Sequence, residues 1–226
     1  MTVPHGTPDA PRIAVRGEAH LEVDPEIARL GITIASRGKD RRTALDDLTR
    51  RNAHALALLK SYGDAVEHLE TGSFSITPEL KEHGRGERVH AHHGRVHITA
   101  ELTDFTALGE LTTRLADQEL TTVDGPWWAL RRDSPAYREA RRQAVREAVQ
   151  RAKEYAEALG TSLTALLELA DIGAEGPEPR FVGKAARARS MAYEADTAAT
   201  PLDLEPQRQH VHAQVDARFT MAPPRL

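Results

Sequence analysis

The feature that most constrains the fold of this chain is a row of alanines that recurs at every fourth position. Ser134 and Pro135 precede the row and Gly160 follows it, so the sequence supplies an N-cap, a proline at the first helical position and a C-cap glycine. The pattern therefore predicts one long helix over residues 134–160. The row consists of Ala136, Ala140, Ala144, Ala148, Ala152 and Ala156.

The alanine row also predicts close packing on more than one side of the helix. Alanine has little side-chain bulk, so a ridge of alanines lets another backbone approach the helix closely. Each four-residue step turns about 40° beyond a full turn, and the row therefore sweeps roughly 200° around the helix axis. A single flat sheet does not cover that sweep. We therefore expect the ridge to contact the helix's own sheet and a second partner, which favours a self-associating protein.

Length and composition bound the class of protein. A chain of 226 residues has room for one large domain or two small ones. Its 28% charged and 40% apolar residues are typical of a globular protein. The net charge of −4 argues against a general nucleic-acid binder, because phosphate binding needs clustered cations. The chain has no cysteine, which excludes disulfides and thiolate chemistry.

The amino-terminal residues predict the cellular location. Residues 1–11 contain three prolines and one glycine and are expected to form a flexible lead-in. They have neither a basic n-region nor an apolar h-region, so they do not match a secretory signal. No apolar run approaches the ~18 residues that span a bilayer. We therefore expect a cytoplasmic protein without a membrane span.

The periodicity of the remaining sequence predicts an α+β fold. Alternating apolar and polar residues predict a strand at each end of the chain, the last at residues 209–221. Residues 26–132 follow the order strand-helix-strand-strand-helix-strand, which is that of a ferredoxin-like split βαβ core. The terminal strands and the long helix are expected to extend this core, either within its sheet or as a second small layer.

Three further segments complete the predicted organisation. The apolar phase of the strand at residues 87–102 changes near Gly94, where we expect a β-bulge. Residues 163–172 fit either a strand or an extension of the long helix. Residues 173–206 lack any periodic pattern and are predicted to form a long mobile loop.

Several short patterns, in this order along the chain, resemble one known family. Gly17-Glu18-Ala19 lies in the first strand and opens the pattern, Glu139-Ala140-Arg141 lies in the long helix, and Val215-Asp216-Ala217 lies in the last strand. Together with the stretch that ends at Gly160, these patterns make residues 12–221 similar to the SIMPL domain, also called DUF541. The resemblance implies a self-assembling protein linked to stress defence. Its members have no agreed reaction, so it supplies no catalytic, cofactor or metal residues, and we expect a non-enzymatic role with a homo-oligomer as the partner.

A histidine-rich stretch supports an alternative function, a metal-dependent enzyme or metal-binding protein. Histidines two apart on a strand lie on the same face and could share an ion. No acidic residue or cysteine stands at a supporting spacing, so a solvated strand face is the favoured interpretation. The last strand carries a second same-face pair, His210 and His212, which would support the metal hypothesis if that strand lay beside the first cluster. The first cluster consists of His90, His92, His93 and His97.

Arginines near the start of the long helix support another alternative, an adaptor for nucleic acid or a partner protein. Asp133, Glu139 and Glu147 interleave with them at spacings that match helical ion pairs, which favours a solvated, salt-bridged face. The adjacent Trp127 and Trp128 would point to opposite faces of a strand, one into the core and the other towards a partner. The arginines are Arg131, Arg132, Arg138, Arg141, Arg142 and Arg146.

Overall fold

The computed structural model describes residues 6–80, 89–171 and 202–224. Within these residues the chain is mixed α+β, with two antiparallel sheets and three α-helices, and this confirms the predicted fold class. In chain order the elements are β1 (Arg12–Val23), β2 (Ile27–Gly38), α1 (Arg41–Ser61), β3 (Val66–Leu80), β4 (Val89–Leu102), α2 (Phe105–Ala116), β5 (Thr121–Ala129), α3 (Pro135–Ala158), β6 (Leu163–Asp171) and β7 (Gln209–Met221).

The chain divides into two compact units. The core unit contains residues 24–131 and 194–209, and the terminal unit contains residues 1–23, 132–193 and 210–226. The predicted lead-in is described only from Gly6 onwards, and most of the predicted loop at 173–206 lies outside the described residues. None of the helices in the described part of the chain is both long and apolar enough to cross a membrane.

The core unit is a four-stranded sheet whose apolar face packs against α1 and α2. The strand order is β3-β4-β2-β5, and every neighbouring pair is antiparallel. Asp40 and Asp104 cap the two helices, because the Asp40 carboxylate accepts a hydrogen bond from one backbone amide of the first turn and the Asp104 carboxylate accepts from two. The elements follow the predicted chain order, and the ferredoxin-like arrangement stays a prediction. The largest fully buried side chains include Leu30, Ile32, Ile98, Leu108 and Leu111.

The strands at the two ends of the chain form a small sheet of their own in the terminal unit and do not extend the core sheet. β1 and β7 pair with each other and β6 adds to β7, so these strands form a sheet of their own, of order β1-β7-β6. Their apolar face is lined by small residues such as Gly17, Ala19 and Ala217, which allow the close approach that an alanine ridge requires. Residues 163–171 are a strand rather than an extension of the helix.

The alanine ridge is buried within the terminal unit. Ser134 caps α3, and five of the six alanines, at 140, 144, 148, 152 and 156, are at most 1% exposed, whereas Ala136 is half-buried. A Cβ atom at Gly17 would lie 2.0 Å from the carbonyl oxygen of Ala144, so the backbone of β1 lies directly on the helix as predicted. The expectation that part of the ridge needs a second partner is wrong. The middle of the ridge packs in one apolar cluster with residues of β1 and β7, among them Val15, Ala19 and Phe219.

The β-bulge expected at Gly94 is also absent from the described strands. Gly94 pairs directly with Ser36 in a ladder that continues without a shift along β2 and β4. The shifts between β3 and β4 fall elsewhere, near Val66, Gly72 and His90. A Cβ atom at Gly94 would lie 2.4 Å from the Ser36 Oγ and 3.1 Å from the Leu48 Cδ2. Glycine is therefore required here by a close approach rather than by a bulge.

Candidate functional site

The histidine cluster of β4 is spread over both faces of the strand. His90 and His93 are exposed, whereas His92 and His97 are half-buried. The His93 Nε2 lies 2.7 Å from the Glu79 Oε2, and the His97 Nδ1 lies 3.1 Å from the Thr33 Oγ1. In residues 6–80, 89–171 and 202–224, these histidines do not converge with a third ligand on a common point.

Glu79 is the centre of a small charged network on this sheet. Its Oε2 accepts a hydrogen bond from the Arg37 Nη2 at 2.8 Å as well as contacting His93. These hydrogen bonds, from His93 and then from Arg37, lower the pKa of the Glu79 carboxyl below its usual value. The network gives His93 a protein partner and explains its position without a metal.

The second histidine pair does not join the first, because β7 pairs with β1 and β6 instead of β4. The ring of His212 stacks on that of His20, with the centroids 4.3 Å apart and the planes inclined by 29°. Glu18 lies beside them, and one possible ligand atom from each of these three residues lies within 4.8 Å of the others. Among the described residues this is the one group of three metal-ligating side chains that converges so closely.

Sequence reasoning missed His20 and Glu18 as members of a cluster. Both alternate with the buried residues of β1 and look like ordinary polar positions on a solvated face. The signal that could have found them is the pairing of the two most regularly alternating strands of the chain. An antiparallel pairing that places Arg16 beside Asp216 also brings His20 to His212.

The arginines predicted to form one patch belong to two units: Arg131 lies in the core unit, and the others lie in the terminal unit. Arg131 forms an ion pair with Glu67 in the core unit, with 2.9 Å between the Arg131 Nη2 and the Glu67 Oε2. Further along the chain, Glu139 lies near two cations, 3.6 Å from Arg146 and 4.0 Å from Arg142. An open groove of about 720 Å³ runs along α3 and is lined, among the described residues, by Arg138, Arg141, Arg142, Val145 and Arg146.

Exposed apolar side chains concentrate on one edge strand, β6. Leu166 and Leu169 stand opposite Phe219 and Ala217, which are buried under α3, yet the two leucines are 54% and 47% exposed. Leu167, at a shift in the pairing, is exposed as well. The apolar face of the sheet therefore continues past the helix to the outer edge of the sheet.

The two tryptophans of β5 lie on opposite faces of the core sheet, as predicted. Trp128 packs into the core and contacts Phe105 edge to face, with ring centroids 4.8 Å apart. Trp127 is 54% exposed and lies over Gly31, where an added Cβ atom would be 3.2 Å from its ring. Trp128 is therefore part of the core, and Trp127 lies on the surface of the described part of the chain.

These features define the class of protein: a mixed α+β chain with a helix-covered four-stranded sheet and a smaller sheet built on an alanine-rich helix. A family model named SIMPL and described as "Protein of unknown function (DUF541)" matches residues 13–219, nearly the whole chain. The chain belongs to the SIMPL family, and the resemblance inferred from its sequence patterns is confirmed. No curated protein matches it.

Proposed function

We propose that this protein acts by self-association rather than catalysis, and that strand β6 forms the contact between two copies. The observation that carries this proposal is the set of exposed leucines on an edge strand. In the described part of the chain, β6 pairs with β7 alone, so its other edge presents unpaired backbone groups. Leu166 and Leu169 add apolar surface to the same edge.

Such an edge favours pairing with another strand. Monomeric proteins guard their edge strands with lysine or proline, and β6 contains neither residue. Of its two acidic residues, Glu168 is held by an ion pair with Arg218 of the neighbouring strand and Asp171 is the last residue of β6, so neither guards the middle of the outer edge. Two β6 strands related by a two-fold axis would join two three-stranded sheets into one sheet and would cover the leucines of both copies.

The test is the molar mass of the full chain at tens of micromolar, measured by size-exclusion chromatography with light scattering. We expect a dimer or a larger assembly. Leu166→Lys is expected to weaken association by about tenfold or more, because pairing would then bury a charged group. Leu45→Lys is the matched control: Leu45 is 40% exposed on α1, a good position for lysine, and this change is expected to leave the mass unchanged.

Two results would contradict the proposal. One is a wild-type chain that stays monomeric throughout this concentration range. The other is an oligomer whose mass and dissociation constant are the same in Leu166→Lys as in the wild type, which would place the contact on another surface.

The arginine-lined groove on α3 favours a second candidate function, an adaptor that binds nucleic acid. A helical surface with four arginines offers several contacts to a phosphate backbone, and each neutralised phosphate adds about 0.9 to the salt slope of duplex binding. Fluorescence anisotropy with a labelled duplex at increasing salt tests this function. We expect Arg138→Gln with Arg141→Gln to lower both affinity and slope, and Arg42→Gln on α1 to change neither. A flat salt dependence in the wild type would exclude this candidate.

A further inference from the structure

We propose that Glu18, His20 and His212 form a binding site for one divalent transition-metal ion on the β1-β7-β6 sheet. The site lies on the face of this sheet opposite the buried residues Val15 and Ala19, which pack against α3. One ligand atom from each of the three residues lies within 4.8 Å of the other two. This proposal is independent of self-association through β6.

The antiparallel pairing of β1 and β7 builds the cluster. As β1 advances by two residues, β7 retreats by two, so the contacts run from Arg16–Asp216 through Glu18–Gln214 to His20–His212. All of these side chains point to the same face, because residues two apart on a strand share a face. The histidines are therefore held side by side by the backbone ladder, and the carboxylate of Glu18 lies one step along β1.

The chemistry of these ligands selects the class of ion. Imidazole nitrogens with one carboxylate suit zinc, copper, nickel and cobalt, whereas calcium and magnesium prefer oxygen ligands alone. Metal–ligand bonds of about 2.0–2.2 Å place two ligand atoms on a tetrahedral ion about 3.3 Å apart. Both histidines are exposed, so small side-chain rotations can close the remaining distance without moving the sheet. Water would complete the coordination.

Neighbouring side chains hold Glu18 in a suitable position. The Gln214 Nε2 donates to the Glu18 Oε1 at 3.2 Å, and this fixes the carboxylate while its second oxygen stays available. The nearby guanidinium of Arg16 is held by Asp216 through two contacts of 3.0 and 3.3 Å. The hydrogen bond from Arg16 lowers the pKa of Asp216, so this pair stays ionised and neutral overall beside the cluster.

The experiment is a titration of the tag-free full chain with zinc alone, by isothermal calorimetry and by equilibrium dialysis, followed by cobalt absorption spectra. We expect one ion per chain with a dissociation constant in the micromolar range, as suits three exposed ligands. His20→Gln and His212→Gln are each expected to weaken zinc binding at least tenfold. Because both side chains are exposed, we expect the thermal unfolding midpoint of the metal-free variants to match that of the wild type.

The histidines of β4 supply the matched control. His90→Gln combined with His93→Gln removes two exposed imidazoles from a histidine-rich strand and is expected to leave the zinc affinity unchanged. The proposal is overturned if the wild type binds no stoichiometric zinc, if His20→Gln binds it as tightly as the wild type, or if the β4 double variant is the one that loses binding.

Discussion

Gly17→Val is expected to destabilise the terminal unit by about 4 kcal/mol. A Cβ atom at this position would lie 2.0 Å from the carbonyl oxygen of Ala144, 2.6 Å from the amide nitrogen of Ala148 and 2.7 Å from its Cβ. Two of these atoms belong to the helix backbone and cannot rotate away. The helix would have to lift from β1, which would expose the apolar cluster that includes Phe219.

The effect is measured by urea unfolding and localised by hydrogen exchange. We expect the midpoint to fall and the amides of residues 12–23, 135–158 and 209–221 to lose protection before those of the core unit. Gly72→Val is the matched control, because an added Cβ there meets no atom closer than 3.7 Å and valine favours a strand. If Gly17→Val unfolds at the same urea concentration as the wild type, the close approach of β1 to α3 is refuted.

The sequence predicted those parts of the fold that depend on neighbouring residues. The helix expected at 134–160 is observed at Pro135–Ala158, and the strand expected at 209–221 is observed at Gln209–Met221. Caps, proline and glycine positions and apolar periodicity act over a few residues, so they can be interpreted without knowing the partners of each element.

Features that depend on distant partners could not be predicted in this way. The burial of the alanine ridge depends on β1 and β7, which lie more than a hundred residues apart in sequence. The glycine at position 94 accompanies a change of apolar phase, a pattern shared by bulges and by close contacts. Only the register of β2 against β4 shows that Ser36 lies opposite it.

The same reasoning explains the outcome for the candidate sites. Four histidines within residues 90–97 suggest a metal site because they are close in sequence. Two of them instead contact residues of other strands: His93 contacts Glu79, and His97 contacts Thr33. The sequence pattern pairs His212 only with His210, two positions away on the same strand. Its nearest imidazole, that of His20, is almost two hundred residues away, and only the pairing of the chain ends brings the two together.

Gly94→Ala is expected to destabilise the core unit by about 3 kcal/mol, the second large effect. The added methyl group would lie 2.4 Å from the Ser36 Oγ, a hydroxyl that is buried and donates a 2.7 Å hydrogen bond to the carbonyl oxygen of Ala44. Moving this hydroxyl would break its hydrogen bond, and Leu48 restricts the space on the other side. Thermal and urea unfolding measure the loss.

A double-mutant cycle identifies the clash as the cause. Ser36→Ala alone is expected to cost about 1 kcal/mol, since it removes one buried hydrogen bond. In Gly94→Ala combined with Ser36→Ala the hydroxyl is gone, so the pair should cost about 1–2 kcal/mol less than the sum of the single changes. Gly72→Ala combined with Ser36→Ala is the additive control, because an added Cβ at Gly72 would make only ordinary contacts, none closer than 3.7 Å. Strict additivity for the Gly94 pair would show that its contact with Ser36 does not limit this position, and the need for glycine in β4 would then require another explanation.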